Sequence, residues 1–201
     1  SEKVFIMKRL LIIIILTFSF QTLTKADDIR DFQIEGISIG DSLLDYMTKK
    51  QIINAKKNSD LIYFDKFIGF NIPIKIKNKD LYDKILVTLK QGSDLTIYHI
   101  SASKNLTNNF NECSEKRKSI VNEVSNLFSK ARIVEAPNRK HYADESGKSI
   151  TNSTYFWLGE NFVEVSCYDM DQENPKNWID ELRVDITHKD FSNFLINDYY
   201  E

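Results

Sequence analysis

Residues 36–40 read Gly-Ile-Ser-Ile-Gly. Gly-x-Ser-x-Gly is the spacing of a nucleophile elbow, where a sharp strand-to-helix turn presents a serine hydroxyl for acyl transfer. The surroundings argue against that chemistry. The motif comes before any parallel sheet could be assembled, and Ile37 and Ile39 are β-branched residues that crowd a strained turn. The spacing predicts a short strand with Ile37 and Ile39 inward and Ser38 outward.

Gly147-Lys148-Ser149 ends like a phosphate-binding loop, but Tyr142 stands where that loop needs its first glycine. Residues 138–148 therefore read as a polar hairpin connection. Asp169, Asp171, Glu173, Asn177 and Asp180 fall at ligand positions of a Ca²⁺-binding helix-loop-helix. Asn174 replaces the loop's glycine and the bidentate glutamate is missing, so the stretch reads as an acidic turn. A weak Ca²⁺ or small-ligand site is the alternative there. His99, His141 and His188 lie in separate elements without metal-ligand spacing. Catalytic residues are left unassigned, and no cofactor or metal ligand is expected. Asn105-Leu106-Thr107 and Asn152-Ser153-Thr154 are glycosylation sequons, which matter only in a eukaryotic secretory pathway.

Two cysteines are the remaining chemistry. Cys113 lies seven residues before Ile120 on the apolar stripe of a helix. Val163, Val165 and Cys167 alternate on one face of a strand, opposite Glu164 and Ser166. Both thiols point at a helix–sheet interface, which predicts a Cys113–Cys167 disulfide in an oxidising compartment.

The elements that position these residues follow from the pattern. Ser42 with Asp45 and Thr48 with Gln51 cap two short helices in succession. Runs rich in Ile, Val, Tyr and Phe predict strands over 61–68, 72–76, 84–90 and 95–101, with Gly69 at a turn. A helix is expected over 111–130. Strands follow over 132–136, extending towards 142, and over 149–158, 161–168 and 179–186, with a tight turn at Gly159-Glu160. Thr187 or Asp190 caps a short last helix. In strand 149–158, Tyr155 and Trp157 share one face and Phe156 and Leu158 the other. One of these faces is a candidate aromatic recognition surface, and core packing is the simpler account.

The fold class is α+β: two repeats of a helix plus a four-stranded antiparallel sheet, forming one compact unit with a short C-terminal helix. Residues 27–105 form the first repeat and 106–201 the second.

The chain has 201 residues, 27 Lys and Arg against 29 Asp and Glu, and a net charge of −2. A nucleic-acid binder needs a basic surface, so that class is excluded. Ile, Lys and Asn are abundant and Lys greatly outnumbers Arg, the mark of A/T-rich codons. Residues 1–26 read as an upstream extension and a signal peptide. Met7-Lys8-Arg9 is a positive start, 10–20 is apolar and too short to span a bilayer, and Ala26 closes a cleavage site. Cleavage there removes Lys3, Lys8, Arg9, Lys25 and Glu2. It leaves 23 basic and 28 acidic residues, a net charge of −5. The expected location is periplasmic, with no membrane span after cleavage.

Residues 28–46 read Asp-Ile-Arg-Asp-Phe-Gln-Ile-Glu-Gly-Ile-Ser-Ile-Gly-Asp-Ser-Leu-Leu-Asp-Tyr. Together with the Cys113 helix, Ser146-Gly147-Lys148-Ser149, Val165-Ser166-Cys167-Tyr168 and Leu182-Arg183-Val184, this segment resembles a family of exported proteins of Pelagibacter-type marine alphaproteobacteria. The resemblance implies a periplasmic protein and carries no activity or catalytic residues. The order of elements is also similar in outline to β-lactamase-inhibitor-like two-repeat domains and to small outer-membrane assembly lipoproteins. The expected function is a non-enzymatic binding or envelope-assembly accessory module, with a periplasmic protein or small ligand as partner. The alternatives are a small periplasmic hydrolase using Ser38 or one of the histidines, and the Ca²⁺ or small-ligand binder.

Overall fold

The computed structural model describes residues 28–59, 61–92, 94–107, 109–173 and 178–199. The signal segment expected over 1–26 lies outside them.

The described chain opens on a 3₁₀ turn, Ile29–Asp31, capped by Asp28, and then forms a short hairpin-like bridge between Ile34 and Ile37. Glu35 and Gly36 turn it with φ of 52° and 86°, the left-handed values that a two-residue turn between paired strands requires. Ile34, Ile37 and Ile39 are buried. The Gly40 N–H donates to the Ile97 carbonyl at 2.8 Å and ties this segment to the sheet. Ser42 then caps a single 3₁₀ turn, Leu43–Asp45. Helix α1, Lys49–Lys57, follows with the full Thr48–Gln51 capping box and buries Ile52 and Ala55.

Strands β1 (Ile62–Phe64), β2 (Phe67–Asn71), β3 (Lys84–Lys90) and β4 (Ile97–Asn105) come next. Helix α2 spans Phe110–Leu127, with Asn109 capping it by accepting from the Glu112 N–H. Strands β5 (Arg132–Lys140), β6 (Ile150–Leu158), β7 (Asn161–Asp169) and β8 (Glu181–Thr187) follow, and then helix α3, Lys189–Phe194. A π-helical turn, Leu195–Tyr199, ends the described chain.

All the strands belong to one antiparallel sheet in the order β1-β2-β3-β4-β8-β7-β6-β5. β1 is a three-residue stub at one edge, so seven strands carry the sheet. The α+β class and the antiparallel pairing are as expected. The even division into two helix-plus-four-strand repeats is not what the first half builds. The run expected as one strand over 61–68 is a hairpin turning at Asp65 and Lys66. Gly69, expected at a turn, lies inside β2. Pro73 stands two residues past the end of β2, and 72–76 is not a strand.

Helices α1 and α2 bury one face of the sheet. Register aligns Phe156, Val163, Ile186, Ile100, Val87 and Phe70 in one transverse row across six strands. All six are fully buried, in a single core that also takes Ile52 from α1 and Ile120 and Val124 from α2. Residues from both halves of the chain share this core, so neither half closes alone. Arg117 of α2 adds a polar clasp. It donates to the Val165 carbonyl at 3.3 Å, to the Glu135 carboxylate at 2.9 Å, and to the Thr154 hydroxyl. The Cys113 and Cys167 sulfurs stand at bonding distance, 2.02 Å, with Cα atoms 5.9 Å apart. Both positions are buried between α2 and β7, as the alternation predicts.

At the far edge β5 is mostly exposed and carries Pro137. Its register shifts between Ala136 and Arg139, and Asn138 takes a φ of 51°.

Candidate functional site

Alternation that sends this row of six residues inward must send their chain neighbours to the opposite face. Two transverse rows there are unusual. One runs Trp157, Phe162, Thr187, His99 and Thr88 across β6, β7, β8, β4 and β3. The next runs Tyr155, Glu164, Asp185 and Ser101. Glu164 and Asp185 are therefore directly opposed carboxyl groups on adjacent strands.

These residues are linked. The Thr88 hydroxyl and His99 Nδ1 are 3.2 Å apart, and His99 Nε2 lies 3.1 Å from the Asp185 carboxylate. The Ser166 hydroxyl donates to Glu164 at 2.6 Å, and Ser153 and Ser166 share a hydrogen bond of 2.7 Å. One row further, Arg183 pairs with the buried Glu181 carboxylate and stacks 4.4 Å over the Tyr168 ring. Burial opposes charge on Asp185, but the hydrogen bond and charge of His99, with Arg183 behind, outweigh it and hold its pKa below the usual value. Burial raises the pKa of Glu164, and the Asp185 charge raises it further, against hydrogen bonds from Ser166, Ser153 and Tyr155. Tyr155, half-buried beside Glu164, has its pKa pushed up to about 12 by burial and by the Glu164 charge and remains a hydrogen-bond donor.

The opposed pair has a measurable consequence. A carboxyl group with a raised folded-state pKa binds its proton more tightly in the native chain. Its contribution is complete below the unfolded value of about 4.3 and is lost as pH rises through the folded value. Glu164→Gln is thus expected to gain up to about 1 kcal/mol at neutral pH, the scale of a like-charge cross-strand contact. Urea midpoints of the two proteins between pH 4 and 8 check this: the gain must grow with pH, and a constant difference would assign it to packing instead.

Thr88, His99 and Asp185 present a hydroxyl, an imidazole and a carboxylate in series, the residue types of an acyl-transfer triad. The geometry does not support that use. Thr88 is 1 % exposed in the middle of β3, and Phe191, itself buried, lies 5.3 Å from the imidazole. The series is a polar relay that holds the face together.

The chain has no match among protein-family models, curated proteins or solved structures.

The residues singled out by motif lie elsewhere. Ile37 and Ile39 point inward as expected, but Ser38 is buried rather than outward. Its hydroxyl donates to the Arg30 carbonyl at 2.8 Å, and its N–H to Asp41 at 3.3 Å. His99 is instead engaged with Thr88 and Asp185. Gly147-Lys148-Ser149 closes the β5–β6 connection. The Asp144 carboxylate accepts from the Ser146 N–H, the Ser146 hydroxyl and the Ser149 N–H, which drives its pKa far down. In the acidic turn, Asp180 accepts from the Met170 N–H at 2.8 Å and from Gln172 at 3.2 Å, while Asp171 and Glu173 both pair with Lys148. Asn177 lies outside the described residues. Among the described residues no group of three or more His, Cys, Asp or Glu side chains is placed to hold a metal ion, and no helix is long and apolar enough to cross a membrane. His141 packs against Tyr142 and Trp178. His188 caps α3, in place of Thr187 or Asp190.

Of the candidate aromatic surfaces, Phe156 belongs to the core, whereas Tyr155 and Trp157 flank Phe162 on the opposite face with ring centroids 5.8 and 4.8 Å away. All three rings are half-buried. The carboxyl pair and Arg183 were not singled out by sequence. The available signal was a charged residue between β-branched ones, Val163-Glu164-Val165 and Val184-Asp185-Ile186.

Proposed function

We propose that the protein is an exported, periplasmic, non-enzymatic binding or envelope-assembly accessory module. Its recognition surface is the sheet face opposite α1 and α2. The observation that carries this reading is the composition of that face. Three half-buried aromatic rings border carboxyl, hydroxyl and guanidinium groups fixed by hydrogen bonds to one another. Pre-organised aromatic and polar groups on a rigid sheet are the usual make-up of a binding hot spot. The export signal and the resemblance to Pelagibacter-type exported proteins support the location. The β1–β4 and β5–β8 runs are unequal antiparallel meanders, the first with β1 cut to a three-residue stub, and their meeting at β4 and β8 supports reading 27–105 and 106–201 as diverged repeats that pool their strands into one face.

The test uses a photo-crosslinking amino acid at Trp157 and, as control, at Asn122, which is exposed on α2. In cells exporting the full chain, position 157 is expected to give a discrete adduct and position 122 none. The captured species, once purified, must bind wild-type protein and fail to bind Trp157→Ala. Equal labelling from both positions would sink the reading. N-terminal sequencing of the exported chain is expected to begin at Asp27; a cytoplasmic, unprocessed chain would remove the periplasmic part of the proposal.

A further inference from the structure

Helix α3 lies on the same face as the polar rows, unlike α1 and α2. Phe191 and Phe194 pack on Phe67, with centroids 5.0 and 5.3 Å from its ring, in an apolar cluster separate from the main core. Phe191 also covers His99. At six residues α3 is too short to be helical by itself in water. Its place depends on these rings and on its first turn.

His188 builds that first turn. Its Nδ1 accepts the Asp190 N–H at 3.2 Å. Its carbonyl accepts the N–H groups of Phe191 and Ser192, each at 3.0 Å, and its own N–H donates to the Tyr98 carbonyl at 2.9 Å. A ring nitrogen accepts an N–H only while it carries no proton. The cap therefore exists only with neutral imidazole. We propose that His188 is a pH-sensitive latch: its protonation loosens α3 from the sheet and uncovers Phe67, Tyr98 and His99.

The charged and titratable groups around the ring oppose one another. On α3, the Asp190 carboxylate at 3.9 Å favours the imidazolium and Lys189 disfavours it. Lys189 is partly neutralised by Glu160 of the β6–β7 turn at 3.6 Å, and Lys66 of the β1–β2 turn and Lys90 of β3 border the cleft beside Asp190. From β4, Tyr98 meets the ring edge-on at 5.2 Å and stays neutral. Burial weighs most and lowers the His188 pKa, and the positive end of the helix acts in the same direction. The native chain thus prefers neutral His188 more than the opened chain does. Docking is complete at high pH and weakens as pH falls below about 6.5.

Amide hydrogen exchange on the intact protein at pH 7.5 and pH 5, corrected for intrinsic rates, tests the latch. Opening at Asp190, Phe191 and Ser192 is expected to rise about fivefold at the lower pH, the worth of one helix cap, while β7 and β8 amides hold. His188→Asn, a cap that does not titrate, should stay closed at both pH values, and His188→Ala should be open at both. Unchanged wild-type opening, or a pH response retained in His188→Asn, would overturn the proposal. The latch does not depend on what binds the sheet face.

Discussion

Replacing Cys113 and Cys167 together by serine is expected to cost about 4 kcal/mol of stability. The bridge joins positions 54 residues apart, and closing so long a loop removes much of the unfolded chain's freedom in the chain-entropy model. It also fastens α2 to β7 at the first turn of the helix. Removing it leaves the Ile120, Val124 and Arg117 contacts in place, so the variant should keep its fold and unfold at a lower guanidinium concentration. Denaturation curves of the wild type with and without reductant measure the same quantity: the reduced wild type should match the double serine variant. A wild-type curve insensitive to reductant, or free thiols at both positions in the unreduced protein, would contradict the bridge's role.

Adjacent residues of β6 are expected to behave in opposite ways. Phe156→Ala should cost about 3–5 kcal/mol, because its ring is fully buried in the row shared by six strands and the cavity cannot be refilled from solvent. Trp157→Ala, one position on, removes a half-buried ring that packs on Phe162 and lies under Arg132. It should lower the denaturation midpoint only slightly, and it should abolish binding of the captured partner. If Trp157→Ala unfolds the protein as readily as Phe156→Ala does, the outer face is a structural layer and not a recognition surface.

Parts of this arrangement were legible in the sequence because they are local. The Thr48–Gln51 capping box, the apolar stripe of α2 and the turn at Gly159 each lie within a few residues. The cysteine pairing was legible too, because one helical and one strand period independently pointed both thiols inward. Other features depend on what the chain meets at long range. Gly69 reads as a turn signal but faces Thr88 across the sheet, where an added Cβ would sit 3.3 Å from the Thr88 hydroxyl. Ser38 reads as outward by alternation, yet the segment after Asp28 passes over it and the Arg30 carbonyl takes its hydroxyl. The Glu164–Asp185 opposition depends on β7 lying beside β8 in one register, and nothing within either strand specifies that partner. His188 was invisible as a cap because Thr187 and Asp190 are the residue types that ordinarily do this.

The exposed edge at β5 bears on how the protein survives at high concentration. A nine-residue edge strand, paired on one side only, could add a second chain, and then a third, by simple backbone pairing. Here Pro137 withholds one donor, Asn138 bends the backbone, and Arg139 and Lys140 repel an identical neighbour. These features disfavour growth of the sheet from one chain to the next along this edge.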